Sequence, residues 1–242
     1  MQLLIELQKI DQFSLPISYN YLLQSMIYDL LKNKENLSSQ LHERGYQIED
    51  KHFKLFTFSL LRGQYKIHGK RIEFLDKVLF EIRTVDKTIL LTIVESLLNL
   101  DTLRIGQNLV KILNVKIGHK KLTENSYKIR MISPLVVRST DSRTKKTLYY
   151  NPFDTEFKSR IMENFERKYQ AYYHKVPTGR FDIEPINYSL KNKFVTKYKD
   201  FLITGWRGEF EIRGDAEVLD FLYQVGLGEK NSMGFGMFVI EE

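Results

Sequence analysis

No cysteine occurs in the 242 residues, which excludes disulfides and thiolate metal sites. No apolar run reaches the roughly 18 residues of a membrane-spanning helix. No basic amphipathic helix stands apart from the core pattern, so surface membrane binding is disfavoured as well. Metal-ligand spacing is also missing: His119 and His174 are isolated, and neither Asp-x-Asp nor His-x-x-x-His occurs. No metal and no cofactor are expected. A dinucleotide fingerprint starting at Gly226-Leu-Gly228 would need glycine at 231, where Asn231 stands, and would have to open a helix rather than precede a strand. The first expected strand starts at Gln2, so no signal peptide is expected and cytoplasmic residence is the default.

What is present is basic. The formal charge is +7, and the excess is uneven: residues 104–175 hold 16 Lys and Arg against six Asp and Glu. The remaining residues therefore sum to −3. Such a block suits a nucleic-acid backbone. The 14 Tyr and 16 Phe supply both core and candidate stacking surfaces for bases. Four of the 13 glycines crowd into residues 226–236, just before a closing strand at Met237–Ile240. Glycine uncovers backbone N–H groups and permits positive φ, and a run of such groups can face phosphate. The same glycines also suit a tight hairpin, or a close approach to a neighbouring domain.

Periodicity divides the chain into two similar halves. In the first, Leu3–Ile10 reads as a strand, Tyr19–Leu31 as an amphipathic helix and Leu37–His42 as a short helix ending near Gly45. Phe53–Leu61 reads as a strand, Arg71–Phe74 with Val78–Arg83 as a hairpin, and Asp86–Leu98 as a helix N-capped by Asp86. Strands at Leu103–Ile105 and Leu109–Ile117 follow. In the second half, strands are expected at Tyr127–Val137, Ile183–Leu190, Phe194–Tyr198 and Phe201–Ile212. Helices are expected at Phe153–Tyr173 and Asp215–Val225, the latter capped by Asp215. Each half has the order β-α-β-β-α-β, which predicts an α+β protein of two tandem ferredoxin-like domains. The polar stretch Gly118–Ser126 sets the expected boundary, giving residues 1–120 and 121–242.

Four pieces fit together in this frame: Tyr19–Tyr28, Leu41-His42-Glu-Arg-Gly45-Tyr46, Lys54-Leu-Phe-Thr-Phe-Ser59 and the glycine loop 226–236. With Ser133-Pro-Leu-Val-Val-Arg138, they resemble the CRISPR-associated endoribonucleases of the Cas-six type. The resemblance spans the whole chain. It implies metal-independent cleavage of a precursor transcript within its repeats, by attack of a 2′-hydroxyl on the adjacent phosphate. The products would be a 2′,3′-cyclic phosphate and a 5′-hydroxyl. The catalytic histidine of that family falls on His42, its helical tyrosine on Tyr28 and its lysine on Lys54. Lys51 and His52 stand close enough in sequence to compete for these roles.

The residue types suit the reaction. Histidine, with an ordinary pKa of about 6.5, transfers protons near neutrality. Lysine brings a compact positive charge to the phosphorane. Tyrosine donates a hydrogen bond or orients the 2′-hydroxyl. Each also has a plainer reading: a helix-terminal surface histidine for His42, core packing for Tyr28 and a solvated strand-edge charge for Lys54. For RNA binding the candidates are Arg138, Arg143, Lys145 and Lys146, beside a polar loop, with Gly226, Gly228, Lys230, Asn231, Ser232, Gly234 and Gly236. Lys158, Arg160, Arg167 and Lys168 on the long helix read mainly as solvent-facing. The expected partner is CRISPR repeat RNA, with effector-complex subunits as further candidates. Monomer and homodimer both stay open. The rival function is a non-catalytic RNA-binding subunit of such a complex, which would keep the loop and basic face without a productive His42.

Overall fold

The computed structural model describes residues 1–32, 45–49 and 51–241. The helix expected over Leu37–His42, and His42 with it, lies outside the described residues. The first half contains β1 (Gln2–Lys9), β2 (Phe13–Pro16), α1 (Asn20–Leu31), β3 (Tyr46–Ile48), β4 (Lys51–Phe53), β5 (Phe56–Phe58), β6 (Arg62–His68), β7 (Arg71–Thr84), α2 (Lys87–Leu98), β8 (Thr102–Ile105) and β9 (Asn108–Gly118). β1 lies between β7 and β9, antiparallel to both. Its alternate residues Leu3, Ile5 and Leu7 are fully buried, as a two-residue side-chain period requires. α1 buries Leu23, Met26, Ile27, Leu30 and Leu31 in the same core, at helical spacing. Each such side chain contributes about 1.5–3 kcal/mol on burial. Asp86 caps α2, its carboxylate accepting from the Thr88 N–H at 2.7 Å.

The second half contains β10 (Ser126–Met131), β11 (Arg138–Thr140), β12 (Thr147–Tyr149), α3 (Glu156–Tyr173), β13 (Phe181–Ile186), β14 (Lys193–Tyr198), β15 (Phe201–Trp206), β16 (Glu209–Gly214), α4 (Ala216–Val225) and β17 (Phe238–Ile240). Its main sheet runs β13-β16-β10-β17. In the first half, β9, β1, β7 and then β5 with β6 follow the same order. Both halves therefore have the ferredoxin-like arrangement, in which the first and third strands occupy the sheet centre. Two hairpins, β11–β12 and β14–β15, are pairs of their own.

Several expected elements differ. Phe53–Leu61 is two short strands, because Leu55 between them adopts φ +46. That turn sends Leu55 into the core of the second half. The expected Arg71–Arg83 hairpin is one 14-residue strand, β7. Its partner is β6, and the turn falls at Gly69–Lys70. At residues 76–77, polar and turn-like in sequence, the strand runs on: Lys77 pairs with Gln8 of β1, whose side-chain amide donates to the Asp76 carboxylate at 3.0 Å. Tyr127–Val137 ends as regular strand at Met131; beyond it only the Leu135–Trp206 bridge is formed among the described residues. Phe201–Ile212 breaks at Gly208, where φ is +117. Asp215 precedes α4, but its side chain accepts from the Arg180 N–H at 3.1 Å instead of capping the helix.

Buried polar contacts lock the halves together. Arg83 of β7, 1% exposed, pairs with Glu81 at 2.6 Å and stacks 3.8 Å from the Tyr223 ring centroid. It also donates to the Phe238 carbonyl of β17 at 2.6 Å. A buried charge is tolerable only when paired and hydrogen-bonded; Arg83 has its ion pair within β7 and its hydrogen bond across the interface.

Candidate active site

Asn20, Gln24 and Tyr28 recur every four residues along one side of α1. Asn20 Nδ2 donates to the carbonyls of Met233 (3.2 Å) and Gly234 (3.1 Å), and Gln24 Nε2 to that of Ser232 (2.6 Å). The Tyr198 hydroxyl donates to Gln24 Oε1. This side of α1 therefore ties the glycine loop and the β14–β15 hairpin to the first half. One turn further, the Tyr28 ring meets Phe56 edge-on, with centroids 6.2 Å apart. The Lys54 ammonium lies 5.3 Å from the Tyr28 ring centroid, a cation–π distance. Burial raises the Tyr28 hydroxyl well above the usual tyrosine range, so it is a neutral donor at physiological pH. Burial lowers the Lys54 ammonium from its ordinary value.

Lys54 opens onto a cleft of about 570 Å³ bounded by β4–β5, β11, α3 and residues 229–233. Its lining includes seven Lys and Arg against two Glu. Both carboxylates are already paired, Glu229 with Arg138 at 2.8 Å and Glu163 with Arg160 at 3.2 Å. The cleft therefore carries a strong positive excess, focused between low-dielectric walls. β3 and β4 pair antiparallel, Tyr46 opposite Phe53. Tyr46 anchors that pair. Its hydroxyl donates to Asp86 and its ring meets Tyr172 of α3 at 5.3 Å.

The glycine loop is largely buried, and its close approaches are to protein. A Cβ on Gly228 would lie 2.4 Å from the Val136 carbonyl oxygen, one on Gly234 2.6 Å from the Phe58 ring, and one on Gly236 2.0 Å from the Leu227 carbonyl oxygen. The N–H groups of Gly226, Leu227, Glu229 and Gly236 donate to the carbonyls of Leu222, Gly236, Val136 and Pro134. Asn231 Nδ2 closes the loop from inside, on the Leu227 and Phe235 carbonyls at 2.9 and 3.1 Å. These glycines thus allow close protein packing, within the loop and against the first half. Lys230 and Ser232 line the cleft, together with Asn231.

Tyr28 and Lys54 are thus brought together, and Lys54, Arg138, Lys230, Asn231 and Ser232 share one cleft. Arg143, Lys145 and Lys146 stand apart on the exposed tip of the β11–β12 hairpin. Asp141 organises that tip by accepting from the Thr144 N–H at 2.6 Å. His52 lies on β4 opposite Gln47 and borders the cleft. The reading of α3 as a solvent-facing basic helix needs correction. Lys158 pairs with Asp182 at 3.1 Å, but Arg160 and Arg167 line the cleft and Lys168 is only 3% exposed. The spacing 160–164–167 is the signal available in the sequence, since it marks a single helical face.

A two-domain ferredoxin-like protein with a cationic cleft beside a half-buried Tyr–Lys pair is the class that fold and site define. Residues 14–116 match the family model of CRISPR-associated protein Cas6, N-terminal, and residues 117–240 that of CRISPR associated protein Cas6, C-terminal. The chain belongs to the Cas6 family. The CRISPR-associated endoribonuclease Cas6 of Pyrococcus furiosus is 30% identical over 254 residues, covering 100% of this chain and 90% of its own length. A solved structure of a Cas6-related gene product from Pyrococcus furiosus superposes with a TM-score of 0.85 at 26% identity, covering 100% of this chain and 98% of that one. A RAMP protein described as binding different RNA substrates gives 0.84 at 25% identity, with full coverage of both chains.

Proposed function

We propose that this chain is a metal-independent endoribonuclease that cuts CRISPR precursor RNA within its repeats, leaving a 2′,3′-cyclic phosphate. In this reading the first domain (residues 1–120) carries the reacting side chains and the second (121–242) much of the basic face. The observation that carries it is the contact of Lys54 with Tyr28 at the edge of a cleft rich in Lys and Arg. The scissile phosphate sits against Lys54, whose ammonium stabilises charge on the equatorial oxygens. The neutral Tyr28 hydroxyl orients the 2′-hydroxyl or donates to the phosphorane. His42 moves the proton between the 2′-oxygen and the leaving 5′-oxygen. The similarity to relatives named Cas6 endoribonucleases supports the substrate class.

Purified protein is expected to cut its cognate repeat in excess EDTA, with a cyclic phosphate on the upstream product detected by mass spectrometry. A single 2′-deoxy nucleotide at the cut site should abolish cleavage while leaving binding nearly intact. Strict dependence on added magnesium or manganese would sink the mechanism.

The tip of the β11–β12 hairpin is proposed as an outlying phosphate contact. Replacing both Lys145 and Lys146 with alanine should reduce the slope of log affinity against log salt, by about 0.7 for each single-strand phosphate that the variant no longer neutralises. An unchanged slope with the fold intact would take this tip out of the RNA path and leave the α3 wall of the cleft as the principal contact.

A further inference from the structure

Lys168 stands out among the described residues. It lies on α3, sealed at 3% exposure beneath the cleft. Its ammonium donates to the carbonyls of Gly226 (3.0 Å) and Gly228 (2.6 Å), the two residues that open the glycine loop. Among the described residues no carboxylate forms an ion pair with it. Glu229, the acid acting on it, is held by Arg138 at 2.8 Å. A buried ammonium without a counter-charge is costly, and methionine would fill much the same space without that cost. The cleft is where the missing negative charge can enter.

We propose that Lys168 is a positioning residue for the RNA site: it clamps the start of the glycine loop through two carbonyls, and its ammonium takes its counter-charge from an RNA phosphate bound in the cleft above. The inference rests on the reading that RNA occupies this cleft. Lys168 acts through the loop, which carries Lys230 and Ser232 to the cleft wall.

The charge and the clamp separate experimentally. Burial brings the Lys168 ammonium down from 10.5 to about 7. A neutral amine still has two N–H groups for the two carbonyls. Raising the pH from about 6 to about 8.5 therefore removes the charge and leaves the clamp. The charged and titratable groups that line the cleft with Lys168 come from four parts of the fold: Arg160, Glu163 and Arg167 on α3, Glu229 and Lys230 on the loop, Arg138 on β11, and Lys51 and His52 on β4 with Lys54 just after it. Wild type and a Lys168 variant share all of them, so the difference between their pH profiles isolates Lys168.

The test uses a non-cleavable 2′-deoxy repeat RNA and the full chain. The Kd is measured for wild type, Lys168→Met and Arg167→Ala at both pH values and constant salt, with melting temperatures alongside. Lys168→Met should bind about tenfold more weakly near pH 6, and wild type should lose about tenfold more affinity than the variant on going to pH 8.5. If Lys168→Met does not fold, calorimetry decides on a His42→Ala/His52→Ala protein, which lacks the imidazoles assigned to the site: near pH 8, in buffers of differing ionisation enthalpy, it should still show uptake of about half a proton on binding. A folded Lys168→Met with the wild-type Kd and pH profile, or no proton uptake by the His42→Ala/His52→Ala protein, overturns the proposal. An unchanged Kd for Arg167→Ala overturns the cleft reading itself, whereas a weaker Kd there with no change at Lys168 overturns only the role of Lys168.

Discussion

His42→Ala is expected to lower single-turnover cleavage about 10²–10⁴-fold, the usual contribution of a general acid or base. RNA affinity should change little, because the cationic cleft and α3 are untouched. His52→Ala should stay within about tenfold, although His52 borders the cleft two residues before Lys54. If the two results were exchanged, proton transfer would belong to β4 and the assignment across residues 43–54 would be wrong. If neither variant lost activity, the rival reading of an RNA-binding subunit with a trace contaminating nuclease would stand. Quantifying cleavage at saturating protein separates these outcomes, since it removes any difference in binding.

Gly236→Ala is expected to destabilise the protein by about 2–5 kcal/mol, combining a left-handed backbone penalty with overpacking. The added Cβ would lie 2.0 Å from the Leu227 carbonyl oxygen and 2.5 Å from Asn231 Nδ2, at a φ of +75. Neither neighbour has room to yield: the Leu227 carbonyl accepts from Asn231, whose amide also holds the Phe235 carbonyl. Gly69→Ala is the internal control. Its φ is +58, but nothing lies within 4 Å of the new Cβ, so only the backbone penalty of about 1–2 kcal/mol applies. Thermal and urea melting of both variants measure the difference. Should Gly236→Ala melt like wild type yet bind RNA poorly, the loop's glycines would be facing the RNA and the packing account would fail.

Much of the frame is legible from local pattern. The two-residue alternation of Leu3, Ile5 and Leu7 and the helical stripe Leu23–Leu31 each report which face is buried, and burial decides the element. Asp86 before an apolar helix announces its own cap. The Tyr28 and Lys54 pairing is legible only through family resemblance, because 26 residues separate them in the chain and nothing in either neighbourhood points to the other. The course of β7 is hidden for a related reason. Its polar residues 76 and 77 look like a turn until Gln8 of β1 lies alongside, pairing with Lys77 and donating its side-chain amide to Asp76.

By itself, the sequence determined where the apolar faces lie, that the positive surplus is concentrated in residues 104–175, and that the chain must turn tightly at Gly226–Gly236. These are properties of period, composition and local backbone freedom. Tertiary structure alone decided what those features touch. It turned the chain at Leu55 to fill the second core, and it gave the glycines Val136, Phe58 and Leu227 as neighbours. It also sank Lys168 out of solvent while leaving Arg167, one residue away, on the cleft wall. A side chain's charge is written in the chain, but its solvation and its neighbours are set by surfaces that meet only when the two halves dock.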